Sequence, residues 1–228
     1  MSESNLNLYG DRLVSTTGVY GADIAAQRID ELDKEALIQA LSLQNTRGAC
    51  VDLGCGPGWQ GIRFAMLGAA SYLYDLLPES SMVRYLRENT SLCLSYRQGD
   101  LKLLEDRDLP DRIQLAFSQR FIHYLKYGEA QLLIRAIAER MQPETFFYIS
   151  ASGLNSELGR DYPGLTTELI RRFSCLSSSM QAKHAIREPV CLYTESDLTE
   201  LMGANKLRKC QVWTSRFGSV KGVFQKSS

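Results

Sequence analysis

Residues 51–61, VDLGCGPGWQG, put glycines at positions 54, 56 and 58 directly after an apolar run that contains one carboxylate, Asp52. The apolar run, Ala49–Leu53, predicts a strand, and residues 60–67 predict a helix that ends at Gly68. Glycines in the turn between them permit positive φ and let a ligand approach the backbone, while free amides at a helix start favour negative charge. This stretch therefore predicts a binding site for a nucleotide-like ligand.

The composition of the whole chain limits the possible function classes. Its 228 residues are enough for a sizeable core, and we expect residues 1–228 to form a single α/β domain. Lys and Arg (26) balance Asp and Glu (26), so no net field attracts nucleic acid or an anionic membrane, and neither is an expected partner. The sequence has neither a leader-like start nor an apolar run near eighteen residues, which favours a cytoplasmic location.

The six cysteines are scattered without a CxxC pair, and the chain has only two histidines. This pattern favours reduced thiols and predicts no metal site. Cys55 lies in the glycine turn, where packing as a small residue is favoured over nucleophilic chemistry because no histidine is near it in sequence.

Strand and helix signals alternate along the chain and predict a doubly wound, mostly parallel α/β sheet. Residues 208–226 contain β-rich runs around RFGS and predict a terminal antiparallel hairpin. The other predicted strands are 71–74, 95–98, 113–117 and 145–150, and the other predicted helices are 33–44, 78–89 and 129–141. Helical apolar spacing is found at Leu37, Ile38 and Leu41 in the first of these helices and at Leu132, Leu133, Ile137 and Met141 in the last.

Two ligand classes fit the glycine turn. Gly56, Gly58 and Gly61 form a G-x-G-x-x-G pattern with Asp75 about 20 residues further on, as a dinucleotide site requires. In that site Asp52 would face phosphate, an unfavourable interaction unless the carboxylate is solvated or paired. S-adenosylmethionine carries a sulfonium, an α-ammonium and no phosphate, so a carboxylate before the turn favours this ligand instead.

The segment VDLGCGPG resembles the first motif of class I S-adenosylmethionine-dependent methyltransferases in its acidic residue and its glycine spacing. The resemblance extends over residues 35–150, which it identifies as a cofactor-binding core. It implies the class I methyltransferase fold with a seven-stranded sheet, S-adenosylmethionine as cofactor and S-adenosylhomocysteine as product. The residues that it assigns to the first cofactor motif are Asp52, Gly54, Cys55, Gly56 and Gly58.

Two later segments resemble further cofactor elements of the family. YLYDLLPESSM resembles the end of the second strand, which implies that Asp75 accepts hydrogen bonds from both ribose hydroxyls and that Leu76 packs on adenine. YRQGDL resembles the adenine-binding turn after the third strand, so Asp100 would bind the exocyclic amine and Leu101 would supply a backbone contact. Each carboxylate alone is also consistent with a solvated loop acid, but the three elements occur in order at suitable spacing.

The fourth motif departs from the family pattern. In IQLAFSQRFIHYL, Ser118, which is assigned to the cofactor site, and Gln119 stand where many members carry an acidic residue. The segment lacks the Asn/Asp-Pro-Pro-aromatic tetrad and the Pro-Cys pair of nucleobase methyltransferases, which argues against a nucleic-acid base as acceptor. FIHYL resembles small-molecule and O-methyltransferases with a histidine base, so His123 is the candidate general base. The alternative is a histidine that donates a ring hydrogen to a backbone carbonyl.

Residues beside the cofactor motifs are candidates for contact with the acceptor. Arg120 could bind an acceptor carboxylate or be solvated, and Tyr124 could contact the acceptor or only pack. Residues 1–30 are a predicted lid over the site. The side chains expected to help close it are Tyr9, Arg12 and Tyr20, and ordinary surface packing is the alternative for all three. Tyr20 is also a candidate contact to the acceptor.

Residues 151–207 are a predicted acceptor-side insertion. Glycines at both ends of 153–164 predict a loop over the pocket. Residues 160–187 carry five basic side chains against two acidic ones, which fits either an acidic acceptor or a solvated helix face.

These features predict a cytoplasmic methyltransferase that modifies an O or N atom of a small or medium-sized acceptor. One alternative is a protein or RNA methyltransferase, which requires a continuous basic surface at 160–187. A second is a noncatalytic regulatory protein that binds S-adenosylmethionine or S-adenosylhomocysteine. A third is an NAD-linked oxidoreductase, against which Asp52 argues.

Overall fold

The computed structural model describes residues 6–8, 10–13, 18–21, 28–43 and 48–227. The strands are β1 (Ala49–Leu53), β2 (Ala70–Asp75), β3 (Leu94–Gln98), β4 (Ile113–Gln119), β5 (Met141–Ala151), β6 (Leu207–Thr214) and β7 (Val220–Lys226). The α-helices within the described ranges are α1 (Glu31–Leu41), α2 (Trp59–Met66), α3 (Ser81–Asn89), α4 (Tyr127–Arg140), α5 (Ser178–His184) and α6 (Glu195–Gly203). None of these helices is long and apolar enough to span a bilayer.

The strands form a seven-stranded sheet in the order β3-β2-β1-β4-β5-β7-β6. The first five strands in this order pair in parallel, and β7 is antiparallel to both β5 and β6. The predicted mostly parallel sheet with a terminal antiparallel hairpin is confirmed. The strand order reverses between β1 and β4, and in doubly wound sheets the crevice at such a reversal is where ligands bind.

Both faces of the sheet are covered. One face packs against α4 and α6 in the main core, and the other packs against α1 and α2 around Phe64 and Phe117. All five residues of β1 are buried, because a central parallel strand has helices on both sides. The predicted bounds of β1 match the structure.

The inward face of α1 differs from the prediction. Of the three residues in the predicted spacing, Leu37 packs against the core, but Ile38 is 69% exposed and Leu41 is also exposed. The helix begins at Glu31 because the Asp30 carboxylate accepts hydrogen bonds from the amides of residues 32 and 33. The side chains that α1 buries against the sheet are Leu32, Ala36 and Ala40.

In helix α4, one residue that was predicted to face the core is exposed instead. Leu133 and Ile137 are buried as predicted, but Leu132 is 65% exposed and does not share their face. Met141 is also buried, although it is the first residue of β5 rather than part of the helix.

Residues 151–207 divide into two parts. Buried side chains between 158 and 192 form a small hydrophobic cluster, which includes Leu158, Ile186 and Leu192. By contrast, α6 packs in the main core through Leu198 and Leu201. An acceptor-side role for residues 151–207 stays a prediction.

Replacing Leu133 with Ala is expected to lower the free energy of unfolding by about 2–5 kcal/mol, since a buried leucine leaves a cavity behind. The matched variant Leu132→Ala on the same helix is expected to change it by less than about 0.5 kcal/mol. Urea denaturation followed by circular dichroism measures both values. Equal losses would contradict the assigned faces of α4.

Candidate functional site

A cavity of about 350 Å³ opens where β1, β2 and β4 end. Eight of the ten residues predicted to bind the cofactor line it: Asp52, Gly54, Cys55, Gly56, Asp75, Leu76, Asp100 and Leu101. The other two, Gly58 and Ser118, are outside its described wall. Gly58 begins α2 against Leu73 and Val83, and the Ser118 hydroxyl donates to the Leu53 carbonyl at 3.2 Å.

The turn after β1 requires glycine at its first position for two reasons. Gly54 has a φ of 66°, and a Cβ there would lie 2.3 Å from Cγ of Phe121. Gly56 also has positive φ, 54°, but no heavy atom would lie within 4 Å of its Cβ. The turn therefore packs closely against Phe121 at one residue and faces open space at the next glycine.

Asp75 holds the end of β2 against this turn. Its Oδ2 accepts the Gly56 N–H at 2.7 Å, and its Oδ1 accepts the Leu77 N–H at 2.9 Å. An ionised carboxylate offers about four acceptor positions, so roughly two remain for the hydroxyls of a diol. Leu76 is 48% exposed in the cavity wall, where it presents apolar surface to a flat ring. This donor and acceptor set fits the ribose and base of an adenosyl ligand.

Asp100 caps a short 3₁₀ helix at the far end of the wall. Its Oδ1 accepts the Lys102 N–H at 3.0 Å, and Lys102 Nζ lies 3.3 Å from its Oδ2. The carboxylate is partly exposed, whereas Leu101 beside it is buried in the main core. The pair thus places a polar acceptor beside an apolar residue in the cavity wall.

Asp52 is buried within β1. Its side chain accepts the Gly61 N–H at 3.0 Å, and the residue is only 3% exposed. Burial raises the pKa of Asp52 to about 7, and the charges of Asp33 and Asp75 act in the same direction. A cationic group beside this carboxyl would favour its ionised form. The site therefore suits a ligand with a positive charge near the glycine turn.

The start of α1 brings two further carboxylates to the cavity that the sequence analysis did not assign to the site. Gln119 Nε2 donates to Asp30 Oδ2 at 2.8 Å and lies 3.4 Å from Asp33 Oδ2. Lys221 Nζ, buried in β7, is 2.6 Å from Asp30 Oδ2. Burial, together with the charge of Asp30, raises the pKa of Asp33 to about 6. The D-x-x-D capping pattern could have located the helix start, but no local signal marks Lys221.

His123 lies in the cavity wall, and both ring nitrogens face Ser152. The Ser152 N–H donates to Nδ1 at 3.4 Å, and the Ser152 hydroxyl is 3.5 Å from Nε2. Burial, aided by the charge of Arg120, lowers the pKa of His123 to about 3. The ring is therefore neutral and weakly basic at neutral pH, and its role as general base stays a prediction.

The other predicted acceptor contacts are brought together on this side of the cavity. Arg120, directly after β4, has a φ of 52°, and its N–H donates to both the carbonyl and hydroxyl oxygens of Ser150 at 3.1 Å. The Tyr124 hydroxyl donates to the Tyr20 carbonyl at 2.8 Å, and their rings meet edge to face at 5.5 Å. Burial raises the pKa of Tyr124, so its hydroxyl remains protonated.

The described parts of the predicted lid pack beside these residues. Gly21 N–H donates to the Ala185 carbonyl and Arg187 N–H donates to the Val19 carbonyl, both at 3.0 Å. Closure of the lid stays a prediction, and Tyr9 lies outside the described residues. Arg12 makes an isolated bridge with Leu6.

Two basic side chains between residues 160 and 187 form ion pairs with carboxylates of the same chain. Arg172 is buried, and its Nη1 contacts Asp197 Oδ2 at 2.5 Å and the Leu192 carbonyl at 3.0 Å. Lys183 pairs with Glu157, which also lines the cavity. Arg172 and Lys183 therefore contribute little net charge to a basic surface at 160–187, and the protein or RNA acceptor stays an alternative.

In the described part of the chain, no cluster of side chains indicates a metal site, and no cysteine is in a disulfide bond. No group of three or more His, Cys, Asp or Glu side chains there is arranged to hold a metal ion. All six cysteines are free, and burial raises the pKa of the Cys55 thiol.

The strand order, the glycine turn and the cavity at the strand ends are those of the class I methyltransferase fold, which this chain has. The sequence matches no protein-family model, and it matches no curated protein. Similarity to solved structures is therefore what relates the chain to known proteins.

Three solved structures illustrate the similarity. An S-adenosylmethionine-dependent methyltransferase from Mesorhizobium loti has a TM-score of 0.60 and 18% identity, over 86% of this chain and 100% of that one. Burkholderia thailandensis 1,6-didemethyltoxoflavin-N1-methyltransferase, bound to 1,6-didemethyltoxoflavin and S-adenosylhomocysteine, has a TM-score of 0.58 and 16% identity, over 86% and 80%. Human N-acetylserotonin methyltransferase with S-adenosylmethionine has a TM-score of 0.55 and 18% identity, over 86% of this chain and 52% of that one. This chain therefore spans about half the length of that enzyme.

Replacing Gly54 with Ala is expected to lower the free energy of unfolding by about 2–5 kcal/mol, since a left-handed φ is unfavourable for alanine and Phe121 must move. Gly56→Ala introduces the φ strain without the clash and is expected to cost only about 1–2 kcal/mol. Thermal and urea denaturation measure the difference. A Gly56 variant as unstable as the Gly54 variant would contradict the close contact with Phe121.

The raised pKa of Asp52 predicts a pH-dependent stability. The folded protein holds this proton up to about pH 7, whereas the unfolded chain releases it near pH 4, so the free energy of unfolding falls between these values. Asp52→Asn removes this contribution, and the variant should gain a few kcal/mol over the wild type as pH rises through that range. Urea denaturation between pH 4.5 and 8 measures it.

Asp111→Asn is the matched control for loss of one carboxylate, since Asp111 is 94% exposed. A difference between wild type and Asp52→Asn that does not change with pH would show that Asp52 is not protonated by burial.

Proposed function

We propose that the protein is an S-adenosylmethionine-dependent methyltransferase that acts on an O or N atom of a small or medium-sized acceptor. The observation that carries the proposal is the Asp75 carboxylate, anchored by the Gly56 and Leu77 amides at the edge of the cavity. Its remaining acceptor positions suit two ribose hydroxyls, and Asp52 behind the glycine turn suits a cationic rather than a phosphorylated ligand. A cytoplasmic location remains part of the prediction.

In this proposal the chain mainly binds and orients its ligands. S-adenosylmethionine supplies a methyl group already activated by its sulfonium, so positioning contributes most of the catalysis. Leu76 packs on the adenine, Asp100 accepts from its exocyclic amine, and Leu101 supplies a backbone contact. Gly54, Cys55 and Gly56 form the wall beside the methionine portion. Gly58 and Ser118 act indirectly, by holding the turn and the end of β1 in place.

The same cavity continues past the cofactor residues, which supports catalysis over a purely regulatory role. Its wall includes Arg120, His123, Tyr124 and Tyr20, so an acceptor has room next to the adenosyl ligand. Two of the similar structures are enzymes whose names give a small-molecule acceptor, N-acetylserotonin or 1,6-didemethyltoxoflavin. This similarity supports a small-molecule acceptor for the present chain. The pairing of Arg172 with Asp197 and of Lys183 with Glu157 argues against a protein or RNA acceptor, because it leaves less free positive charge between residues 160 and 187.

Calorimetric titration with S-adenosylmethionine, S-adenosylhomocysteine and NAD tests the proposal. Saturable binding of both adenosyl ligands and none of NAD is expected. Asp75→Asn should weaken S-adenosylhomocysteine binding about 10- to 100-fold, as expected when hydrogen bonds to a charged group are lost. Circular dichroism establishes that the variant is folded.

Asp111→Asn removes a surface carboxylate that pairs with Arg140 and is not a described wall residue of the cavity, so the affinity should stay within about twofold of the wild type. Failure of folded, ligand-free protein to bind either adenosyl compound would overturn the proposed function.

A further inference from the structure

Aromatic rings line the side of the cavity beyond β4. We call the group formed by Tyr20, Phe121, His123 and Tyr124 the aromatic compartment; all four residues line the cavity. The His123 and Tyr124 rings are 4.2 Å apart, and Tyr124 meets Tyr20 edge to face at 5.5 Å. The hydroxyl of Tyr124 is held by the Tyr20 carbonyl, which keeps this ring in place. Such surfaces favour a flat ring, because aromatic rings attract one another more strongly than the burial of apolar area alone explains.

The aromatic compartment lies directly beside the glycine turn. A Cβ on Gly54 would lie 2.3 Å from Phe121 Cγ, so these two residues are already in contact. Asp52 and the start of α2 are on the other side of the same turn. A ring in the compartment would therefore lie next to the end of the cavity that suits the cationic part of the adenosyl ligand.

Arg120 lines the same cavity as the aromatic compartment and directly precedes Phe121 in the chain. Burial, followed by the charge of Arg120, lowers the pKa of His123. Glu157, further along the wall, is matched by Lys183 and accepts the Leu8 N–H at 3.1 Å.

The backbone fixes where this arginine sits. Its N–H is held by both oxygens of Ser150, and its φ of 52° is a conformation that a side-chain-bearing residue rarely adopts. The neighbouring strands β4 and β5 are paired through Gln119 and Ser150. The backbone of Arg120 is therefore held against β5 directly after the end of β4.

We propose that the aromatic compartment takes a planar aromatic acceptor that carries a carboxylate, and that Arg120 holds this carboxylate. A guanidinium matches a carboxylate through two parallel hydrogen bonds, and charge-assisted bonds are about twice as strong as neutral ones. This inference rests on the proposed function and names its acceptor class.

The test uses protein saturated with S-adenosylhomocysteine and titrated calorimetrically with 4-hydroxybenzoate and 4-hydroxybenzamide. The two probes share the ring and the hydroxyl group and differ in the charge of one substituent. We expect the benzoate to bind at least about 10-fold more tightly, the ratio that about 1.4 kcal/mol produces.

Three variants assign the preference to Arg120. Arg120→Gln should reduce the affinity ratio of the two probes to near one, whereas Arg120→Lys keeps the charge and should retain part of the ratio. Arg187→Gln is the matched control, since Arg187 is exposed and is not a described wall residue of the cavity; its ratio should equal that of the wild type.

S-adenosylhomocysteine binding is measured first, which separates this inference from the proposed function. If S-adenosylhomocysteine binds but the benzoate shows no preference over the benzamide, or neither probe binds, the acceptor class is overturned and the proposed function stands. A preference that persists in Arg120→Gln overturns the role of Arg120. Absence of S-adenosylhomocysteine binding overturns both.

Discussion

The hydrogen bond from the Gly56 amide to the Asp75 carboxylate, 2.7 Å long, ties the turn after β1 to the end of β2. Gly56 directs its amide this way in a left-handed conformation that glycine adopts without steric cost. The Leu77 amide holds the second oxygen of the same carboxylate. Because both oxygens are held by backbone amides, the carboxylate is oriented before any ligand arrives, and the wall of the cavity between β1 and β2 depends on these contacts.

Charge differs between the two ends of this cavity. Near the glycine turn, Asp33 and Asp52 have raised pKa values because burial disfavours their ionised forms, and a cationic group there would offset part of that penalty. Beyond β4, Arg120 acts on the buried rings of His123 and Tyr124, where an anionic group is favoured. An ionised Asp52 and the charge of Arg120 would favour ligand groups of opposite charge, as the proposed pairing of a cationic methyl donor with an anionic acceptor requires.

Local chemistry predicted the elements well but not the faces of the helices. Both ends of β1 were predicted correctly, because a short apolar run that is followed by a glycine turn favours a buried strand of that length. Ile38 and Leu132 have apolar side chains at helical spacing, yet both are exposed. In α1 the face that packs on the sheet contains Ala36 and Ala40, since small side chains allow the helix to approach closely.

By itself, the sequence determined the order of the strands and of the first four helices, and the placement of the glycine turn, Asp75 and Asp100, because each depends on residues adjacent in the chain. It did not predict α5 or α6. Tertiary structure decided which distant side chains join the glycine turn and these carboxylates. Gln119 and Lys221 reach Asp30 across 89 and 191 positions of the chain, and the strand order brings them together. A lysine within a β-strand pattern carries no local sign of burial, since its environment exists only once β7 has inserted between β5 and β6.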